Sequence, residues 1–177
     1  MSTFVASVFI GTSVDGFIAR QDGDIDWLNE HGEKAGDTGY DAFLAGVDTI
    51  VLGRATFEKL LSFGPAAWTY GDRHVAVLST TLPDDADPRV TVHRSMDALT
   101  ETLTARGARH VYADGGQVVQ SFLRAGLVGR ITLTTVPVLI GTGIPLFGAL
   151  VSDLSLTHES TQVLGGGLVQ TVYTIER

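Results

Sequence analysis

Short apolar runs that end at glycine and continue into a helical pattern are the feature that most restricts the folds open to this chain. Within residues 48–61, positions 50–52 are apolar without alternation, and Gly53 follows them. An apolar run without alternation is typical of a strand that is buried on both faces. Helical spacing then appears at Phe57, Leu60 and Leu61. The stretch therefore predicts a buried strand, a tight turn at glycine and a helix.

A second run of this kind spans residues 110–113 and leads through Gly115 and Gly116 into another helical pattern. Strands that alternate with helices usually pair in parallel, and helices then cover both faces of their sheet. The chain therefore predicts an α/β fold around a mostly parallel sheet. Further strands are expected at residues 4–10, 74–78, 90–93 and 131–136.

The remaining elements complete a single domain. Ser95 is a good helix N-cap and Gly107 a good C-terminal stop, which predicts a helix between them. Residues 154–164 and 168–175 predict two strands joined by three glycines, and this antiparallel hairpin makes the sheet mixed. A length of 177 residues without an internal repeat or linker predicts one domain over residues 1–177. Shorter helices are expected from Ile25 onward and around residues 40–47.

Composition narrows the classes of partner and chemistry. The net charge of −8 argues against nucleic acid or an anionic membrane as a partner, because both require a basic face. The absence of cysteine removes disulfides, thiolate chemistry and Cys-ligated metals, and it fits a cytoplasmic protein. Glycine and proline interrupt the longest apolar stretch, residues 136–150, so no transmembrane helix is expected. The five histidines lack metal-binding spacing, and no metal site is predicted.

Polar and small residues follow three of the predicted strands, where ligands of open α/β sheets bind. Glycines at these positions would let the backbone approach a ligand closely, and the helix that follows would point its N-terminus at an anion such as a pyrophosphate. Arg54, with Ser79 and Thr80, could hold a second phosphate and an adenosine. The alternative is that the glycines only make tight turns and that Arg54 is a surface residue. The three segments are residues 53–56, 79–81 and 114–117.

Six segments in this order resemble the dihydrofolate-reductase-like family. Within it, the chain is most similar to stand-alone proteins that resemble the C-terminal reductase domain of the bifunctional riboflavin-biosynthesis deaminase/reductase. The resemblance covers nearly the whole chain and implies a mixed, mostly parallel sheet of about eight strands flanked by helices. It also implies NADPH as cofactor, a small-molecule substrate and a homodimer. The segments are SVDGFIA (13–19), GDIDWL (23–28), LGRATFE (52–58), VLST (77–80), DGGQVVQSFL (114–123) and PVLIGTGIPLF (137–147).

The resemblance assigns roles to particular cofactor-binding residues. Arg54 would contact the 2′-phosphate of NADPH, and Thr56, after the turn at Gly53, would contact the pyrophosphate. The adenosine side would be bordered by Ser79 and Thr80. The pyrophosphate cradle would be formed by Gly115, Gly116, Gln117 and Val118. The nicotinamide edge would be lined by Ala6, Ile10, Asp15 and Gly16. The family also implies a cis peptide bond within residues 114–116.

Asp24 is the candidate catalytic acid. The segment GDIDWL resembles the stretch in which dihydrofolate reductases place their buried acid, and in this register Trp27 packs behind Asp24. A carboxylate in an apolar pocket has a raised pKa, can relay a proton, and could pair with an amino-pyrimidine edge. The alternative is that Asp24 caps the helix and Asp26 is an ordinary first-turn acid. Asp15 could likewise be only a turn residue.

Three hypotheses for function remain open at the level of sequence. The first is an NADPH-dependent oxidoreductase that transfers a hydride to a pterin-like or ribosylaminopyrimidine-like substrate. It would resemble either dihydrofolate reductase or the 5-amino-6-(5-phosphoribosylamino)uracil reductase of riboflavin biosynthesis. The second is an NADP(H)-binding module of the same fold without turnover, and the third is an assembly protein whose glycines are only turns. The chain has no deaminase signature, and Gly129-Arg130 stands where the family usually has an acidic pair.

Overall fold

The computed structural model describes residues 4–176, which form ten strands and five α-helices. The strands are β1 (Val5–Ser13), β2 (Phe17–Ala19), β3 (Thr49–Gly53), β4 (His74–Leu78), β5 (Val90–His93), β6 (His110–Asp114), β7 (Val128–Val136), β8 (Ile144–Pro145), β9 (Thr157–Val163) and β10 (Val169–Thr174). The helices are α1 (Asp26–Gly32), α2 (Tyr40–Ala45), α3 (Arg54–Ser62), α4 (Met96–Ala105) and α5 (Gly116–Arg124). Single 3₁₀ turns lie at Pro65–Ala67 and Gly165–Gly167.

Eight strands form one mixed sheet in the order β5-β4-β3-β6-β1-β7-β10-β9. The pairs from β5 to β7 are parallel, whereas β10 runs antiparallel to both β7 and β9. This arrangement confirms the predicted fold class, including the C-terminal hairpin. Within the described part of the chain, no helix is long and apolar enough to cross a membrane.

The central strands are apolar throughout because both of their faces are covered. On β3, the side chains of Ile50, Val51 and Leu52 are completely buried. Val51 belongs to the core that α4 and α5 cover, while Ile50 and Leu52 belong to the core beneath α2 and α3. Burial of one such side chain contributes about 1.5–3 kcal/mol. The non-alternating pattern in the sequence therefore follows from helices on both sides.

Some strand boundaries and one small sheet differ from the sequence-based prediction. Strand β1 continues to Ser13 rather than ending at residue 10, because β7 pairs with it as far as the register Ser13↔Val136. A second, two-stranded sheet of β2 and β8 was not predicted. The helix expected after Ser95 is present, and the Ser95 Oγ accepts a hydrogen bond from the Ala98 N–H at 3.2 Å.

Candidate active site

Two helix N-termini meet at the carboxyl ends of neighbouring strands. Strands β3 and β6 pair up to the register Leu52↔Asp114, and each leads through a glycine directly into a helix, α3 or α5. In α5, the first helical hydrogen bond runs from the Val119 N–H to the Gly115 carbonyl at 2.9 Å. The N–H groups of the first helical turn therefore have no partner inside the helix. Together with the helix dipoles, they make this edge of the sheet suitable for an anion.

Gly115 brings the two helices close together. Its φ is +100°, a conformation that residues with a Cβ rarely adopt, and a Cβ at this position would overlap the Thr56 hydroxyl oxygen. The predicted cis peptide within residues 114–116 is wrong, because residues 4–176 contain no cis peptide bond. The backbone reverses at Gly115 through its positive φ instead.

Arg54 joins two of the predicted cofactor segments. Its Nε donates to Glu58 Oε1 at 2.6 Å, and its Nη1 donates to Thr81 Oγ1 at 2.7 Å. The side chain is nevertheless 46% exposed. Residues 79–81 therefore lie next to the start of α3, as the strand-end pattern indicates. Thr81 is a contact that was not predicted.

Ser79 and Thr80 differ in how available their hydroxyls are. The Ser79 Oγ accepts the N–H groups of Thr81 at 3.2 Å and Leu82 at 3.0 Å, so it closes the turn after β4. Ser79 is buried, whereas Thr80 is exposed beside it. Thr80 is therefore the more accessible of the two predicted adenosine-side residues.

A segment that we call the strap, residues 137–148, lies across the N-terminus of α5. A Cβ at Gly116 would lie 2.7 Å from the Pro145 carbonyl oxygen, so the strap backbone passes directly over this glycine. Farther along α5, Gln120 Nε2 donates to the Leu146 carbonyl at 3.3 Å. The strap therefore forms one wall beside the helix N-termini.

Asp15 ties the turn after β1 to the strap. Its Oδ2 accepts the Gly141 N–H at 2.8 Å, and its Oδ1 accepts the Ile140 N–H at 3.3 Å. The Ser13 hydroxyl and these N–H groups lower the pKa of the Asp15 carboxyl, although partial desolvation opposes them. The Leu146 N–H also donates to the Gly16 carbonyl at 3.1 Å. Asp15 thus fixes the strap through both carboxylate oxygens.

Asp24 lies in a different environment from the apolar pocket that the resemblance implies. Its side chain is 32% exposed, and its Oδ1 lies 3.5 Å from Arg20 Nε. The same oxygen accepts the Asp26 N–H at 3.4 Å, just before α1 begins. Asp26 is a first-turn acid of α1, as the alternative holds, but the N-cap of the helix is Ile25 and no side chain caps it. Trp27 is buried as expected, but it packs against Ala35, Val136 and Leu168.

Asp114 is a half-buried acid that the sequence-based prediction did not consider for acid–base chemistry. It ends β6 directly before Gly115, and desolvation by burial raises its pKa to about 6. The polar Tyr112 side chain beside it and the Gly115 N–H favour the ionised form and so act on the pKa in the opposite direction. A carboxyl with this pKa exchanges a proton near neutral pH, as a general acid must.

Aromatic side chains surround this acid. Burial raises the pKa of Tyr40 to about 12, and the negative charge of Asp114 adds to the shift. Burial and the same charge raise the pKa of Tyr70 and Tyr112. The Tyr112 hydroxyl donates to the Phe9 carbonyl at 3.0 Å. We call Asp114, Tyr40, Tyr70 and Tyr112 the acid–tyrosine cluster.

One signal for part of this cluster was present in the sequence. Tyr112 and Asp114 are two residues apart on a predicted strand, and residues at that spacing face the same side of a sheet. Tyr40 and Tyr70 come from a helix and a loop that are distant in sequence. No local pattern could have placed them beside Asp114.

Comparison with known proteins places this arrangement in a family. A sequence profile of the RibD C-terminal domain matches residues 5–170. The chain belongs to the RibD C-terminal domain family. The uncharacterized protein YwjB of Bacillus subtilis (strain 168) is 34% identical over 160 residues, which cover 89% of this chain and 91% of YwjB.

Solved structures with the same fold support the assignment to this family. A crystal structure from Shewanella sp. PV-4, provisionally named a riboflavin biosynthesis protein, is 36% identical with a TM-score of 0.86. That match covers 98% of this chain and 100% of the Shewanella chain. Dihydrofolate reductase from Enterococcus faecalis, complexed with NADP(H), has the same fold at 17% identity and a TM-score of 0.69, covering 100% and 99% of the two chains. The resemblance to dihydrofolate-reductase-like proteins is thus confirmed.

Four other predicted cofactor-binding residues lie in different environments. Ala6 is completely buried in the core beneath α4 and α5, and its role at the nicotinamide edge stays a prediction. Its register with Val111, near the start of β6, keeps it away from the carboxyl ends of the strands. Ile10 is only partly buried, and Gln117 is exposed in the first turn of α5. The side chain of Val118 is buried, which leaves only its backbone to face a ligand.

The described residues do not provide a candidate metal site. Among residues 4–176, no three His, Cys, Asp or Glu side chains come together in a way that could hold a metal ion.

Proposed function

We propose that this protein is an NADPH-dependent reductase that transfers a hydride to a pterin-like or ribosylaminopyrimidine-like substrate. The observation that carries the proposal is the meeting of the α3 and α5 N-termini beside Arg54. A dinucleotide with a 2′-phosphate supplies the two anions that these groups suit. Membership of the RibD C-terminal domain family supports the same reading.

The residues present fit NADPH at this edge of the sheet. The N–H groups of Gly116 and Gln117, with the Thr56 hydroxyl, would hold the pyrophosphate, and the lack of a Cβ at Gly115 lets the Thr56 hydroxyl come close to the start of α5. Arg54, with Thr80 and Thr81 beside it, would hold the 2′-phosphate and the adenosine side. When bound, the cofactor supplies a hydride.

Asp114 is the best candidate for holding the proton that accompanies the hydride. It adjoins the glycine turn, and burial raises its pKa to about 6. In the protonated form it would donate from a carboxyl oxygen to the substrate atom next to the carbon that accepts the hydride, and solvent would return the proton. Asp24 was predicted from sequence for this role. Because Asp24 is paired with Arg20, Asp114 is the better candidate of the two.

The alternative is an NADP(H)-binding module without turnover. It is favoured by the placement of Asp24, because the acid expected by resemblance lies in a surface ion pair. The two functions differ in whether NADPH is consumed when dihydrofolate or an aminopyrimidine is added. The homodimer and the cytoplasmic location stay predictions that rest on resemblance and composition.

The test of the proposed function is a titration of the purified protein with NADPH and with NADH, followed by tryptophan emission or calorimetry. Arg54→Ala should weaken NADPH binding about ten- to a hundredfold and leave NADH almost unchanged, because a charge-assisted hydrogen bond contributes roughly 1.5–3 kcal/mol. Glu58→Gln is the matched variant. It removes the carboxylate that now occupies Arg54 Nε and should tighten NADPH binding.

Two results would contradict this proposal. If neither nucleotide binds, the strand-end glycines are only turns and the reductase reading fails. If Arg54→Ala weakens both nucleotides equally, Arg54 does not contact the 2′-phosphate.

A further inference from the structure

We propose that residues 147–169, which we call the hairpin surface, form a homodimer interface with the same residues of a second copy of this chain. The surface comprises β9, the irregular segment that leads into it and the glycine turn that follows it. The resemblance implies a homodimer but does not say which surface forms it. The inference involves neither the cofactor nor the substrate, so it does not depend on the proposed function.

Exposed apolar side chains are concentrated on the hairpin surface. Among residues 4–176, twelve large apolar side chains are exposed, and seven of them lie in these 23 residues. Val151 is 99% exposed and Val163 is 73% exposed, so both side chains contribute little to the core of the monomer. Such a concentration of exposed apolar side chains usually marks a surface that another molecule covers. The seven are Phe147, Leu150, Val151, Leu154, Leu156, Val163 and Val169.

Strand β9 offers an open backbone edge on the same surface. All of its residues are exposed, and among residues 4–176 no strand pairs with its outer edge. The N–H and C=O groups of such an edge can pair with a further strand. Since the register with β10 skips Glu159, the regular stretch for this pairing is residues 160–163. The opposite edge of the sheet is less suitable, because Val90 and His93 of β5 are buried.

The charge of the hairpin surface favours a second copy over a different partner. Asp153 and Glu159 are the only charged residues in its sequence, although the whole chain has a net charge of −8. Arg130 neutralises Glu159 through two hydrogen bonds, from Nη1 to Oε2 at 2.6 Å and from Nη2 to Oε1 at 2.9 Å. Two copies of an acidic protein repel each other least where such a surface meets itself. A different partner would find little charge here to recognise.

The size of the hairpin surface and the order of its residues fit a two-fold interface. A standard interface uses about 20–30 residues from each partner, and the hairpin surface has 23. In a two-fold dimer each copy contributes the same patch, so two β9 strands that pair across the axis run antiparallel. Apolar residues lie at both ends of the strand, at Leu156 and Val163. Each copy would therefore cover apolar side chains of the other.

Sedimentation velocity of the purified protein over a wide range of concentrations tests the inference, and the wild type should be a dimer that dissociates on dilution. Val151→Asp and Val163→Asp should each raise the dimer dissociation constant at least about tenfold, which corresponds to about 1.4 kcal/mol, because an apolar interface disfavours a buried carboxylate. Leu139→Asp is the matched control. Leu139 is 70% exposed but lies in the strap outside the hairpin surface, so this variant should dimerise like the wild type.

A wild type that stays monomeric at every concentration would overturn the inference and leave the hairpin surface to a different protein. A dimer that neither valine variant weakens, or that Leu139→Asp weakens equally, would also overturn it. Since both valines are largely exposed, the variants should melt like the wild-type monomer by circular dichroism, which separates loss of the dimer from loss of the fold.

A cross-linking experiment tests the position of β9 in the dimer, because the chain has no cysteine of its own. A short bismaleimide should link Thr161→Cys on β9 to its copy. It should not link Thr104→Cys, which places the thiol at an equally exposed position on α4. Equal linking of the two variants, or no linking of Thr161→Cys in a protein that sediments as a dimer, would contradict pairing through β9.

Discussion

Asp114 combines two properties that a single residue rarely has at once, because it ends a core strand and borders the proposed substrate. Its burial raises the pKa to about 6, against 3.8 for an unperturbed aspartate. A raised pKa means that the folded protein binds the proton more tightly than the unfolded chain does. The stability associated with the proton is therefore fully present below pH 3.8 and is lost as the pH rises through about 6.

Asp114→Asn should consequently stabilise the protein at pH 8 by about 2–3 kcal/mol and have much less effect at pH 4. The asparagine cannot ionise, so the desolvation cost of the carboxylate disappears. Urea unfolding of both proteins across pH 4–8 measures the difference. A constant difference over this range would contradict the assigned burial.

Asp48→Asn should change the stability of the protein in the opposite direction. Burial of Asp48 opposes ionisation, but the His110 N–H, the Thr49 hydroxyl and the Arg109 N–H lower the pKa of its carboxyl. Its contribution to stability is present above pH 3.8 and is lost as the pH falls through the lowered value. The variant should therefore be less stable than the wild type near neutral pH, and the deficit should shrink in acid.

Residues that depend on local pattern were the easiest to predict. Arg54, Thr56 and Gly115 follow strands whose apolar runs are unmistakable, and parallel pairing brings such strand ends together. Ala6 is harder to place from sequence, because an apolar strand pattern does not say which of its residues lie near the ligand-binding end of the sheet, and the structure buries the Ala6 side chain in the core. Asp114 was read only as part of a turn because its acidity depends on neighbours from other elements.

At the scale of elements, the strap and the turn after β1 form one unit that holds a wall of the site. Asp15 accepts two strap N–H groups, and β2 pairs with β8 through the register Phe17↔Pro145. Strands β2 and β8 have three and two residues. Such short segments have too little periodicity to predict from sequence, and their pairing depends on partners more than 120 residues apart.

Asp15→Asn should loosen the strap, since the amide oxygen can replace only one of the two carboxylate oxygens and the amide nitrogen cannot accept the other backbone N–H. We expect faster hydrogen exchange at Ile140 and Gly141 and NADPH binding about three- to tenfold weaker, in keeping with one weakened hydrogen bond. The control is Asp22→Asn, because Asp22 accepts only the Asp24 N–H within its own loop. Weaker binding without faster exchange would instead indicate direct contact between Asp15 and the cofactor, as the resemblance first implied.

At the scale of the whole molecule, two histidines with lowered pKa values lie together at one edge of the sheet. Burial lowers the pKa of His74 to about 4, with contributions from Arg106 and His93, and burial also lowers the pKa of His93. Both imidazoles contact the Thr91 hydroxyl, at 3.2 Å and 3.1 Å between Nε2 and Oγ1. Their neutral forms belong to the folded state.

A lowered histidine pKa contributes stability that is present above pH 6.5 and is lost as the pH falls through about 4. His74→Gln should therefore lose less stability than the wild type between pH 7 and pH 4, because glutamine stays neutral and can still bond Thr91. The exposed His158 on β9 supplies the control variant His158→Gln. Thermal unfolding at matched pH values measures the effect, and parallel curves for His74→Gln and the wild type would contradict it.

The near-contact between Gly115 and Thr56 also constrains how this protein can change over generations. A β-carbon at position 115 collides with the Thr56 hydroxyl, and the positive φ adds a second penalty. The effect of mutations at the two positions is therefore expected to depend on their order. The folded protein should tolerate a substitution at position 115 only after Thr56 has been replaced by a smaller residue. In a genetic selection, suppressors of Gly115→Ala should appear at codon 56, on a different strand–helix unit of the sheet.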